Sequence, residues 1–149
     1  MKHLFEQEQL IGRTRPEVFA FFADPSNLER ITPESLRFEI RSRQPIAMRA
    51  GAIIDYQLSL YGLKFSWRTL IESFDPESGF VDVQSKGPYR SWRHSHSFSD
   101  APGGTLVRDR VEYEVPLGPL GEIAHRLFVA RQIRRIFDFR RAAIERAFV

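Results

Sequence analysis

The stretch LGEIAHRLFVARQIRRIFDFRRAAIERAF, Leu120 to Phe148, decides how the chain folds. After Gly121 it holds no glycine or proline, and its Arg, Ala, Ile, Leu and Phe residues favour or tolerate helix. At about 1.5 Å per residue, one helix over this span is roughly 40 Å long, enough to cross a small domain. Leu120, Ile123, Ala124, Leu127 and Phe128 make one apolar stripe. Ile133, Ile136, Phe137, Ile144 and Phe148 make a second, turned about the axis from the first, with Arg131, Arg134 and Arg135 between them. A long last helix whose apolar face changes direction, after a chain made mostly of strands, is expected to lie across a curved sheet.

The rest of the chain supplies that sheet. Leu4 to Ile11 alternates loosely and is expected to form a first strand. Thr14 followed by Glu17 is a capping box, and Pro16 suits a first helical turn, so a helix should run to about Ala23. Asp24-Pro25 opens a second short helix carrying Leu28 and Ile31, which Pro33 stops. From there the period changes to two. Strands are expected at Leu36–Arg41, Ile53–Leu60, Lys64–Phe74, Phe80–Ser85, Arg90–Phe98 and Thr105–Val115. The gaps carry turn residues, among them Tyr61-Gly62, Lys86-Gly87-Pro88 and Pro102-Gly103-Gly104. Such short connections mean antiparallel neighbours, since parallel ones need a long crossover.

The totals bound the possibilities. A length of 149 residues fits one domain, expected over 1–149. With 42% apolar and 28% charged residues the composition is globular, not disordered. There is no cysteine, hence no disulfide, thiolate nucleophile or Cys-ligated zinc. Lys2, Glu6 and Glu8 break up the opening, so no secretory leader is expected, and the chain is expected in the cytoplasm. No apolar run approaches the ~20 residues of a membrane span. A net charge of +3 is modest, and the pI of 9.6 overstates it. Thirteen Phe, four Tyr and two Trp are many for this length, and they either fill a core or line a cavity.

The order strand, two helices, six strands, long helix resembles the START-like, helix-grip superfamily, also called SRPBCC. Local matches are Val18-Phe19-Ala20-Phe21-Phe22-Ala23-Asp24-Pro25, Ile31-Thr32-Pro33, Gly87-Pro88-Tyr89, Trp92-Arg93-His94-Ser95-His96-Ser97-Phe98 and Asp109-Arg110-Val111-Glu112-Tyr113. They are similar to a bacterial ligand-binding or polyketide cyclase/dehydrase-like branch. The resemblance implies an α+β fold in which a seven-stranded curved antiparallel sheet wraps around the C-terminal helix and encloses a ligand cavity. It implies less about function, because this fold hosts binders, cyclases and receptors alike.

Strand alternation selects candidates for the cavity wall. Val107, Asp109, Val111, Tyr113 and Val115 share a face opposite Arg108, Arg110, Glu112 and Glu114, so Asp109 is expected inside, where a carboxylate needs a partner. Trp92, His94, His96 and Phe98 share a face too. Ile54, Tyr56 and Leu58, and Trp67 with Thr69, are further inward positions, while the facing of Asp82 and Gln84 is left open. If Arg131 or Arg134 faces the sheet, apolar walls would surround a small His/Asp/Arg cluster, the make-up of a small-molecule site. The candidate ligand-binding residues are therefore Tyr56, Trp67, Gln84, Trp92 and Tyr113, the helix residues Phe128 and Arg131, and the polar group His94, His96 and Asp109. For catalysis the candidates are His94, His96, Asp109 and Arg131. A His-x-His pair with Asp109 has the chemistry of a facial triad, but one short spacing is unspecific, and no metal or other cofactor is expected.

The leading expectation is a module that encloses a small, largely apolar molecule, aromatic, polyketide- or lipid-like. The alternative makes the same cavity the active site of a cofactor-free cyclase or dehydrase, with histidine moving protons and Arg131 stabilising an enolate. A nucleic-acid partner is not expected, because Glu122, Asp138 and Glu145 interrupt the arginines of the last helix. Monomer and homodimer are both left open.

Overall fold

Strand β1 (His3–Ile11) turns every second side chain inward, the pattern of a sheet with one face in water. All residues from Met1 to Val149 are described by the structure, a computed structural model. Thr14 then caps helix α1 (Arg15–Phe22): its hydroxyl accepts from the Glu17 amide at 3.5 Å and donates to the Glu17 carboxylate at 3.0 Å. Helix α1 buries Val18, Phe19 and Phe22. The second helix is shorter than expected, a 3-10 turn over Pro25–Leu28 capped by Asp24, with Ile31 beyond it but buried.

Seven antiparallel strands form one sheet in the order β1-β7-β6-β5-β4-β3-β2. The strands after α1 are β2 (Glu39–Ile40), β3 (Ile53–Leu60), β4 (Leu63–Asp75), β5 (Gly79–Lys86), β6 (Ser91–Ala101) and β7 (Gly104–Glu114). The strand expected over Leu36–Arg41 is reduced to two residues. A 3-10 turn takes Glu34–Leu36 and Arg37 adopts a left-handed backbone (φ 47°), which breaks the extended run. Tyr61 and Gly62, both at positive φ, make the tight β3–β4 hairpin turn whose twist matches that of the strands. Register shifts at Arg68/Thr69 and Ile71/Ser73 bend the long strand β4 and help the sheet curve.

The terminal segment is one continuous helical rod in three parts: α2 (Gly118–Ala124), a π turn (His125–Val129) and α3 (Ala130–Ala147). Its inward side is Gly121, His125, Val129, Ile133 and Phe137, every fourth residue. On an ideal α-helix that series drifts about 40° per step, and the wider π turn takes up part of the drift. Helix α3 buries Ile133, Phe137 and Ile144 as expected of the second stripe. The Gln9 amide on β1 donates to the Arg141 carbonyl at 3.0 Å and ties the rod to the sheet.

The first stripe corrects the expectation. Leu120, Ile123, Leu127 and Phe128 point into solvent, each more than half exposed. The inner side of α2 is taken by groups that pack closely instead. A Cβ on Gly121 would lie 1.8 Å from the Pro116 carbonyl oxygen, so only glycine lets the backbones approach. One turn later His125 stacks on His3 at 3.5 Å between ring centres and meets the Tyr113 hydroxyl through Nε2 at 2.7 Å. No helix is long and apolar enough to cross a membrane.

Two groups of buried side chains hold the halves together. One joins α1 to the far end of α3 through Val18, Phe19, Phe22, Phe98, Val107 and Ile144. The other joins β7 to the near end of α3 through Val111, Tyr113, Val115, Ile133 and Phe137.

Candidate functional site

A pocket of about 170 Å³ lies between the concave face of the sheet and α3. Of its 27 lining residues 19 are hydrophobic, so its affinity for any occupant is set mainly by apolar contact. Leu58, Trp67, Ile71, Trp92, Ile133 and Phe137 supply much of that surface. Met48, from the segment Gln44–Ala50, reaches the same wall.

The polar part of the wall comes from three adjacent strands. Alternation on β6 turns His94 and His96 inward, while Asp82 on β5 stands opposite His94 and Asp109 on β7 opposite His96. The hydrogen bonds run diagonally across this register. His94 Nε2 lies 2.7 Å from Asp109 Oδ1 and His96 Nε2 lies 2.6 Å from Asp82 Oδ2. The two imidazoles stack at 3.7 Å, and Phe80 covers the other side of His96 at 4.2 Å.

Burial alone would raise the Asp109 carboxyl, but the His94 hydrogen bond and the charges of His94, His96 and Arg140 outweigh it and hold the pKa at about 2. Asp82 is likewise lowered: burial opposes, and the bond and charge of His96 prevail. Burial pushes His96 down to about 4, with help from His94 and against the pull of Asp82 and Asp109. At neutral pH the carboxylates are therefore ionised and His96 is neutral, its Nε2–H donating to Asp82. That leaves His96 Nδ1 as a bare acceptor, 3.6 Å from Asp109 Oδ1.

Three buried side-chain polar atoms in the protein lack a hydrogen-bond partner: Trp67 Nε1, His96 Nδ1 and Arg140 Nε. All three residues border this one pocket. The Arg140 guanidinium also lies over the Phe137 ring at 5.6 Å. Buried polar groups are nearly always satisfied, so three exceptions on one wall need a reason.

The structure brings Tyr56, Trp67, Trp92, His94 and His96 together on the pocket wall, with Asp109 behind His94. Other sequence candidates lie elsewhere. Gln84 has its amide engaged with the Tyr89 backbone, donating at 2.7 Å and accepting at 3.1 Å, so it clamps the β5–β6 turn. Tyr113 is buried beside the pocket with its hydroxyl on His125. Phe128 is 57% exposed and touches Tyr61. Arg131 and Arg134 face solvent, and the guanidinium at the pocket is that of Arg140. Sequence reasoning missed Arg140 although it sits inside the second stripe, three residues after Phe137 and four before Ile144. Asp82, whose facing was left open, lines the pocket.

Fold and site together define a helix-grip protein with an interior pocket. The family model described as "Polyketide cyclase / dehydrase and lipid transport" matches residues 11–139, and the chain belongs to that family. Among solved structures it is similar to the protein TTHA0849 from Thermus thermophilus, at 17% identity and a TM-score of 0.77, covering 97% of this chain and 95% of that one. It is also similar to ginseng major latex-like protein 151 from Panax ginseng, at 14% identity and TM-score 0.69, covering 100% and 99%. A nucleoside-diphosphate sugar epimerase from Corynebacterium glutamicum matches at 25% identity and TM-score 0.65 over 95% of this chain but 28% of its own. A search of curated proteins found no match.

Proposed function

We propose that the chain binds a small, largely apolar molecule, aromatic, polyketide- or lipid-like, whose polar atoms face Trp67, His96 and Arg140. The unpartnered atoms of these three residues on one apolar pocket wall carry the reading. Trp67 Nε1 and Arg140 Nε are donors and suit a carbonyl or carboxylate oxygen; His96 Nδ1 is an acceptor and suits a hydroxyl. The volume is close to the ~150 Å³ of an apolar cavity that takes up benzene, so the pocket as it stands fits one or two fused rings.

Calorimetric titration with 2-naphthol and with naphthalene tests this. Satisfying one buried acceptor is worth about 1–3 kcal/mol, so 2-naphthol should bind about tenfold tighter or better. His96→Phe should remove that preference, and Ile136→Trp, which fills the pocket, should abolish binding of both. Equal affinity for the two probes, or unchanged binding by a folded Ile136→Trp protein, overturns the reading.

The paired His–Asp hydrogen bonds favour a second reading, a cofactor-free cyclase or dehydrase. An imidazole backed by a carboxylate can move a proton, and Arg140, in place of Arg131, can stabilise an enolate. Turnover that His94→Ala or Asp109→Ala abolishes, with ligand affinity retained, supports catalysis; turnover indifferent to both excludes this cluster.

A further inference from the structure

We propose that the outer face of α2 and the π turn, together with the β3–β4 hairpin tip, docks on an anionic lipid surface. Seven large apolar side chains there are each more than half exposed: Tyr61 and Leu63 on the hairpin, and Leu117, Leu120, Ile123, Leu127 and Phe128 on the helical side. Tyr61 and Phe128 meet edge to face at 6.3 Å, so the two segments form one surface. Exposed apolar side chains scattered singly are ordinary; a joined group of this size marks an interaction site.

Charge selects the occupant. Arg126, Arg131, Arg134 and Arg135 are all exposed along the same stretch of helix, and Lys64 adjoins the hairpin tip. Burial raises the pKa of the Tyr61 hydroxyl and Arg135 lowers it, so Arg135 reaches the hairpin. The single acid between Val115 and Ile136 is Glu122, held by His3 at 2.9 Å. An apolar face of Leu and Phe edged by arginine is the composition of a helix lying in a lipid interface. A two-fold dimer through the same patch would set these arginines against their own copies, whereas anionic headgroups neutralise them. Leu60, the residue before Tyr61, lies on the pocket wall, so the docked face stands beside the pocket.

Co-sedimentation with vesicles of phosphatidylcholine, alone or with about one-third phosphatidylglycerol, tests the proposal without any pocket ligand. The protein should partition onto the anionic vesicles and be released by salt. Leu127→Ser with Phe128→Ser should lower the partition coefficient at least about tenfold, since both side chains begin exposed and lose only their lipid contact. Arg131→Gln with Arg134→Gln should lower it by about 20-fold, roughly fivefold per charge. Both variants should melt as the parent does and keep its 2-naphthol affinity, so failure here and failure of the ligand reading are separate results. Absence of anionic-vesicle binding at low salt, equal binding to neutral vesicles, or unchanged partitioning of both variants overturns it. So does self-association that the Leu127/Phe128 variant abolishes with no vesicle binding, which assigns the face to a second copy of the chain.

Discussion

Acidification strikes the buried network first at His96. Burial holds its folded-state pKa at about 4, against 6.5 for the free side chain. Between those values the unfolded chain carries a proton at this site and the folded chain does not, so stability rises with pH across the window. The contribution of a neutral His96 is complete above about 6.5 and lost once the pH has fallen through about 4. One pKa unit corresponds to about 1.36 kcal/mol, so the gap amounts to about 3 kcal/mol, with a slope near 1.2 kcal/mol per pH unit at its middle. Against a typical total of about 5–15 kcal/mol such a loss is readily measured. The assay is urea denaturation of the parent and His96→Gln at several pH values, followed by the fluorescence of Trp67 and Trp92. Glutamine keeps a neutral donor toward Asp82 but cannot titrate, so the difference between the two proteins should change by about 3 kcal/mol over the window. Parallel curves would refute the argument. Asp109 belongs to a separate, more acidic step: its contribution is present above 3.8 and lost as the pH falls through about 2.

Two further substitutions probe the frame around the pocket. Gly121→Ala forces a Cβ against the Pro116 carbonyl and should cost about 1–3 kcal/mol, with faster amide exchange over α2; an unchanged melting curve would mean that the contact is not tight. Ile133→Ala removes a side chain that is 1% exposed and lines the pocket, so it should destabilise by about 2–5 kcal/mol while improving affinity for a probe larger than naphthalene. Loss of stability with no gain for the larger probe would place Ile133 in the core alone.

Strand positions were legible because a sheet with one wet face writes its facing directly into the sequence. Arg108, Arg110, Glu112 and Glu114 can only be outside, and that places Asp109 inside without further knowledge. The same rule placed Trp92, His94 and His96. It failed on β5, where Val81 and Val83 oppose Asp82 and Gln84 and neither set is plainly polar or apolar in context. There the inward choice is made by His96, a partner from the neighbouring strand that periodicity within one strand does not contain. The last helix was legible as helix but not in its facing. A stripe of Leu120, Ile123, Leu127 and Phe128 has the period of a buried face, yet the close contact of Gly121 with Pro116 turns it outward. Arg140 was obscured for the complementary reason: six other arginines on the same helix make any one of them look like solvent.

The polar wall also bears on what a ligand search should vary. A pocket that needed only to be filled gains nothing from buried His94, His96, Asp82 and Asp109, since apolar residues of similar volume are often as stabilising or more so. Leaving three polar atoms without partners adds a further cost of about 1–3 kcal/mol for each. Apolar walls discriminate weakly, with an extra methylene worth about 1–3 kcal/mol, whereas a site built to hydrogen-bond rejects an analogue lacking the group far more strongly. Recognition at this site therefore rests on Trp67 Nε1, His96 Nδ1 and Arg140 Nε more than on the phenylalanines. A series that holds one ring skeleton fixed and moves a hydroxyl and a carbonyl around it should spread affinities widely, while a series of hydrocarbons of similar size should cluster. The opposite ranking would return those three atoms to plain structural strain.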